Sequence, residues 1–253
     1  MNKIDYKLLL TEDQASKGNM LAQYNLSHYY WCDRKLTKEK AETLIGYLKQ
    51  IAEDKETEKH QKRFALERIG MMYYLGQGVK KDYKTAMQWF EKAAKYDATW
   101  ALCNLGYCYY WGYDVDIDYA KAHDYFARAI IVGNVNATYK LGDMYYYGQH
   151  VEENKDIAFY WYQQADKSDY DEYDEQQGEN ENYFKYLNPN VAYRLGKCYL
   201  HGHGTTKNVA KALLYLNSSK TNLEQQIKNN DPFAGIVLPY VEEQLKIAKN
   251  TPN

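Results

Sequence analysis

Residues 104–130 read NLGYCYYWGYDVDIDYAKAHDYFARAI, and the same frame recurs three more times in the chain. RIGMMYYLGQGVKKDYKTAMQWFEKAA occupies 68–94, KLGDMYYYGQHVEENKDIAFYWYQQAD occupies 140–166 and RLGKCYLHGHGTTKNVAKALLYLNSSK occupies 194–220. Each frame is anchored by a glycine: Gly70, Gly106, Gly142 and Gly196. The first three anchors stand 36 residues apart, and the last follows after 54, one period plus an insertion of 18. Six residues after each anchor comes another glycine (Gly76, Gly112, Gly148, Gly202), and sixteen after it an alanine (Ala86, Ala122, Ala158, Ala212). Periodic self-similarity of this kind decides the fold class before any finer reading.

The columns of the frame have physical meanings. Asp82, Asp118, Asn154 and Asn208 stand twelve after the anchor, directly before a run with helical periodicity, so each is a predicted N-cap of a second helix. The glycines six after the anchor fall where the first helix must end, and Gly76-Gln-Gly78 and Gly202-His-Gly204 are turn sequences. The anchor glycine and the alanine in the second helix are small enough for two helices to approach closely. Each frame is therefore a helix-turn-helix pair. One such pair cannot bury its apolar faces alone, so the pairs must stack.

Outward from the four frames the pattern degrades. In AQYNLSHYYWCDRKLTKEKAETLIGYLKQIAED (22–54), Leu26-Ser27 takes the anchor place and Thr37 the cap place. Residues 3–17 resemble a lone second helix. Asp231-Pro232 is read as the start of a final helix, with proline at its first position. Its apolar stripe is Ala234, Val237, Leu238, Val241, Leu245 and Ala248. The expected organisation is one repeat domain over 1–253. It comprises a half repeat at 3–19, a degenerate repeat at 20–62, full repeats at 63–98, 99–134 and 135–165, an acidic insertion at 166–186, a full repeat at 187–220 and a cap at 221–253.

Composition narrows the function. Of 253 residues, 29 are tyrosine, and 32 Lys and Arg nearly balance 34 Asp and Glu for a net charge of -2. Nucleic-acid binding needs a clear cationic excess, so that class is set aside. No apolar run approaches the roughly 18 residues of a membrane span. The N-terminus MNKIDYKLLLTEDQ lacks the apolar core of a secretory signal. Four cysteines without a C-x-x-C pair fit free thiols in a reducing cytoplasm.

The succession Ala, Leu-Gly, Tyr, Gly-x-Gly, Asp, Ala and Trp-Phe/Tyr-x-Lys-Ala-Ala resembles the Sel-one-like repeat (SLR) family, relatives of the tetratricopeptide repeats. ASKGNMLAQYNLSHYY (15–30) is similar to that family's junction between repeats, except that Ser27 replaces the usual glycine. The match runs over roughly residues 11 to 220. The resemblance implies an all-α fold, a right-handed α-solenoid of stacked helix-turn-helix repeats with a C-terminal capping helix, acting as an adaptor for other proteins.

A helical wheel sorts the first helix of each repeat into two arcs. The packed arc holds the positions five and one before the anchor, the anchor, and two and three after it, exemplified by Ala101, Leu105, Cys108 and Tyr109. The other arc, by analogy with tetratricopeptide repeats, lines a concave groove. It supplies the expected partner-binding set: Arg68, Trp100, Asn104, Tyr107, Tyr110, Trp111, Tyr139, Lys140, Tyr146, Tyr147, Tyr193 and Arg194. Aromatic rings beside Arg, Lys and Asn suit protein recognition, where Tyr, Trp and Arg dominate the energetics. Asn104 and Lys140 also match two positions of a tetratricopeptide carboxylate clamp, but Glu67, Met71 and Asn136 break the pattern. Residues 166–181 carry eight acidic groups against one Lys. That stretch is read as a solvated loop, or as an acidic lip (Asp169, Asp171, Glu172, Asp174, Glu175) that steers a basic partner.

No Walker loop, G-x-G-x-x-G, H-E-x-x-H or G-x-S-x-G is present, so no catalytic residue, cofactor or metal is expected. The leading expectation is a cytoplasmic, non-enzymatic scaffold for a protein or peptide partner, with no nucleic acid and no membrane. The alternative is an immunity protein that neutralises a bacterial toxin by direct binding. A hydrolase of cell-wall or β-lactam-like substrates ranks behind both. The sequence leaves the oligomeric state open.

Overall fold

The computed structural model describes residues 11–31, 36–168, 187–229, 231 and 233–252. Its contacts divide the chain into two compact units, Met1–Val132 and Gly133–Asn253. Among the described residues the regular structure is all helical, without strands. None of these helices is long and apolar enough to cross a membrane.

The first unit holds a short helical stretch at residues 11–16 followed by α1 (Met20–Trp31), α2 (Lys38–Glu53), α3 (Lys59–Leu75), α4 (Tyr83–Ala94), α5 (Thr99–Trp111) and α6 (Tyr119–Ile131). The second holds α7 (Val135–Tyr147), α8 (Lys155–Ser168), α9 (Pro189–His201), α10 (Val209–Lys228) and α11 (Ala234–Lys249). Within each unit, helices consecutive in sequence pack on one another as antiparallel pairs. The alternation is the one the repeat predicts.

The caps fall on the expected columns. Asp82, Asp118, Asn154 and Asn208 accept the backbone N–H three residues on, from Thr85, Lys121, Ile157 and Lys211, at 2.9 to 3.0 Å. Thr37 does the same for Lys40 in the degenerate repeat. At the other end of each first helix, Gly76, Gly112, Gly148 and Gly202 adopt left-handed φ of 66° to 74°, and their N–H groups close on the carbonyls of Met72, Cys108, Met144 and Cys198. A Cβ at such φ is disfavoured, which is why glycine ends the helix.

The anchor glycine has a different cause. A Cβ built on Gly70, Gly106 or Gly142 would lie 2.5 Å from a ring atom of Phe90, Phe126 or Tyr162, and one on Gly196 would lie 2.7 Å from Leu216. Those partners all stand twenty residues after their anchor and are buried. The pair is thus a close crossing, in which one helix presents backbone to a large side chain of its partner. Ser27, the residue in the anchor place of α1, is buried, and its hydroxyl donates to the Gln23 carbonyl at 2.7 Å.

Two features differ from the expectation. α10 runs on to Lys228, past the end of the repeat frame at 220. The last helix begins at Ala234, where the Asp231 carboxylate accepts from the N–H groups of Phe233 and Ala234 at 2.8 and 3.0 Å; Pro232 lies outside the described residues. Its predicted stripe packs as anticipated, with Ala234, Val241, Leu245 and Ala248 buried beside Leu216 and Leu223 of α10.

Candidate partner-binding face

With the anchor as zero and 100° per residue, the columns six before and five after it point about 20° apart, and both look away from the packed arc. These columns hold the largest exposed rings of the first helices. Trp100 and Trp111 on α5 are 55% and 52% exposed, and Tyr147 on α7 is 55% exposed. His201 on α9 falls in the same column and is also exposed.

The column four after the anchor behaves otherwise. The helical wheel places Tyr110 and Tyr146 on the open arc, yet both are buried, together with Tyr74 and Leu200 in the same column. Four residues at 100° bring a side chain back to within about 40° of the anchor, so it folds over the second helix of its own repeat. The Tyr110 ring meets Phe126 and Tyr119 at centroid distances of 6.2 and 5.4 Å, and Tyr146 meets Tyr162 at 6.5 Å. They buttress their neighbours: Trp111 sets its ring at 4.7 Å and 80° on Tyr110, and Tyr147 sets its ring at 4.9 Å and 71° on Tyr146. Trp111 and Tyr147 therefore each stand on a buried ring, an edge-to-face arrangement that restricts them.

In the first unit the remaining expected residues are partly withdrawn. Tyr107 is half-buried with its ring edge-on to Phe126 at 5.5 Å. Arg68 lays its guanidinium over Phe64 at 4.9 Å. Asn104 is buried and donates to the Met71 sulfur at 3.2 Å. Trp100 is fixed from below, because Glu67 accepts the backbone N–H groups of Trp100 and Ala101 at 3.0 and 3.1 Å. The residue before α5 is Ala98, which has no side-chain cap to offer, so a carboxylate from the preceding repeat caps the helix instead. Burial raises the Glu67 pKa despite those two hydrogen bonds.

The second unit contains the least anticipated feature. Asp143, one residue after its anchor, is buried and gathers three donors from three helices. Arg194 Nε and an Arg194 terminal nitrogen reach its two oxygens at 2.6 Å each, Lys140 Nζ lies at 3.0 Å and the Tyr162 hydroxyl at 3.0 Å. Burial alone would raise this carboxyl's pKa; the Arg194 and Lys140 cations overcome that and hold it well below the usual carboxylate range. Arg194 also stacks over the buried Tyr139 ring at 4.3 Å and donates to the Asn190 carbonyl. Lys140 and Arg194, expected to line the groove, are thus committed inside the unit, and the polar column to which they belong is largely structural there. In sequence the only hint was an acidic residue in a column otherwise filled by Met71, Tyr107 and Lys197.

Around this cluster lies a hollow of about 50 Å³ bordered by Tyr146, Tyr147, Tyr193, Arg194 and Lys197, among others. Lys197 donates to the Tyr147 hydroxyl at 3.2 Å and sits over the Tyr146 ring at 4.3 Å. Tyr193 is half-buried, and burial pushes its phenol up to about 12. The Tyr146 hydroxyl pairs with His203 Nδ1 at 2.6 Å. Asp169, Asp171, Glu172, Asp174 and Glu175 of the acidic lip lie outside the described residues.

The described thiols are packed in the core. Cys103, Cys108 and Cys198 are buried thiols, and burial pushes Cys108 and Cys198 up to about 12, the reverse of what a thiolate nucleophile requires. Among the described residues no group of three or more His, Cys, Asp or Glu could hold a metal ion.

The Sel1 repeat model matches residues 64–95, 101–134, 135–165 and 189–220. A Sel1 repeat protein from Oxalobacter formigenes aligns at 22% identity over 94% of this chain and 60% of its own, with a TM-score of 0.60. A protective antigen of uropathogenic Escherichia coli with an SLR fold aligns at 21% identity over 94% of this chain and 52% of its own, with a TM-score of 0.52. The chain therefore spans just over half the length of these two proteins, and at such identities the likeness concerns the fold. An immunity protein from Pseudomonas aeruginosa aligns at 16% identity over 91% and 82% of the two chains, with a TM-score of 0.49. No curated protein sequence matches the chain.

Proposed function

The chain belongs to the Sel1 repeat family, whose members are typically scaffolds for protein interaction, and from that premise we propose that it is a non-enzymatic scaffold whose first helices bind a protein or peptide through exposed aromatic rings. The observation that carries this reading is the exposure of Trp100, Trp111 and Tyr147 by more than half, in the two columns that point away from the packed arc. Trp111 and Tyr147, left in water but braced on buried rings, offer contact area with little conformational freedom to lose, the property that makes Trp and Tyr dominate interfaces. Arg68, Tyr107 and Tyr193, each half-buried, extend the same faces within their units. The described thiols give the hydrolase reading no support, because Cys103, Cys108 and Cys198 are buried in the core.

Affinity capture with the wild type beside a Trp111→Ala/Tyr147→Ala variant tests the proposal. Partners held by the wild type should be lost from the variant at unchanged helicity. Recovery of the same partners in equal amount by both proteins would defeat it.

A further inference from the structure

Among the described residues five glycines lie well inside helices, and four of them are explained by the close crossings described above. The fifth, Gly46 in the middle of α2, is not. Its backbone is helical, and a Cβ added there would meet nothing within 4 Å. Glycine is the least favourable interior helix residue after proline, so a helix that keeps one without an internal steric reason invites an external one. Gly46 borders a groove of about 1100 Å³ in the first unit. One wall is a single face of α2, formed by Lys38, Glu42, Ile45, Gly46 and Lys49, at spacings of four, three, one and three residues. The other wall is the end of α3 and the turn that follows it, through Val79, Lys80 and Lys81, closed by Asp114.

The charges of the groove are unevenly committed. Lys38 lies 3.8 Å from Glu42. Asp82, at the end of the turn, spends both oxygens on Thr85 at the start of α4. Among the described residues no ion pair within 4 Å engages Lys49, Lys80 or Lys81; Lys49 and Lys81 lie over the rings of Trp89 and Tyr83 at 5.8 and 5.5 Å. Residues 166–181 contribute seven of the chain's negative charges net, so a total of -2 leaves the rest of the chain at +5. We propose that this groove binds an extended acidic segment of a partner protein, whose backbone passes over Gly46 while its carboxylates meet Lys49, Lys80 and Lys81 and its apolar side chains meet Ile45 and Val79. A glycine where another chain comes close is the usual use of a missing Cβ. Ile45 and Val79 call for apolar side chains between the anionic groups, which a peptide supplies and a phosphate backbone does not, so a peptide fits better than a nucleic acid. This site is separate from the aromatic faces and does not depend on them.

The test is fluorescence anisotropy at low salt with a labelled ten-residue peptide of eight Glu and two Leu, beside its Lys counterpart and a ten-nucleotide single strand of DNA. Saturable binding of the acidic peptide is expected, at least tenfold weaker in Gly46→Leu and in Lys80→Glu/Lys81→Glu, and unchanged in Trp111→Ala/Tyr147→Ala. Because Gly46 faces open space, Gly46→Leu should melt no lower than the wild type, so lost binding would report the groove and not misfolding. Absence of saturable binding, equal affinity in Gly46→Leu, or tighter binding of the DNA than of the peptide would each overturn the proposal.

Discussion

Arg194 closes on both oxygens of the Asp143 carboxylate at 2.6 Å, across 51 residues of sequence, and so ties α9 to α7. Lys140 shares the same carboxylate, so one anion answers two cations that are themselves largely buried. Removal of the anion leaves uncompensated charge in a dry site, which is far costlier than never having built the pair. Asp143→Asn is expected to destabilise the second unit by about 3–5 kcal/mol. Urea unfolding followed by circular dichroism checks it; a loss below about 1 kcal/mol would mean that water compensates the cations.

The same carboxylate gives a pH dependence with a definite sign. Its pKa is depressed in the folded protein, so its contribution is present above the unfolded value of about 3.9 and is lost as pH falls below that. The stability gap between wild type and Asp143→Asn should hold from pH 7 to 5 and narrow towards pH 2. A gap independent of pH would show that the aspartate acts by shape alone.

Gly106→Ala should cost about 1–3 kcal/mol, because its methyl would sit 2.5 Å from the Phe126 ring. Phe126→Leu in the same chain should recover part of that loss, since the two residues share one contact. Purely additive losses in the double variant would break the assignment of the anchor to this crossing.

Eight residues after each anchor the backbone is left-handed in all four repeats, at Gly78, Asp114, His150 and Gly204, with φ of 56° to 69°. Glycine adopts this conformation freely and histidine does not. His150→Gly should therefore raise stability by about 0.5–1 kcal/mol, and Asp114→Gly by less, because aspartate tolerates the region better. Thermal melts of both variants decide this, and a drop on His150→Gly would contradict it.

Glu67→Ala should strip the borrowed cap from α5 at a cost of about 1 kcal/mol. Amide hydrogen exchange reports it directly. The Trp100 and Ala101 amides should lose protection while those in the middle of α5 keep theirs.

The repeat, its caps and its helix ends were legible in the sequence because each depends on residues close together in the chain. A left-handed glycine, an Asp before a helix and a glycine opposite a ring recur at fixed offsets, so the period itself exposes them. The face of each side chain was harder to read. A two-arc wheel turns Tyr110 and Tyr146 outward, whereas a position about 40° from the anchor is covered by the ring twenty residues after that anchor, a tertiary fact. Asp143 and Arg194 were less legible still, because their pairing spans the insertion and no period links them. Gly46 carried no signal until the space in front of it was known.

The hydroxyl of Tyr162 separates the third repeat from the first two, which place Phe90 and Phe126 in its stead. It donates to Asp143, and Asp143 holds a cation from the following repeat. The modules are therefore not interchangeable beads. An extra copy of the 99–134 module could be duplicated beside its original with every glycine, cap and ring in register. The same module grafted in place of 135–165 would arrive without the acid and the phenol, and would strand Arg194. Tandem arrays of this kind can grow by copying at some junctions and are locked at others, and in this chain the lock lies between the third and fourth frames.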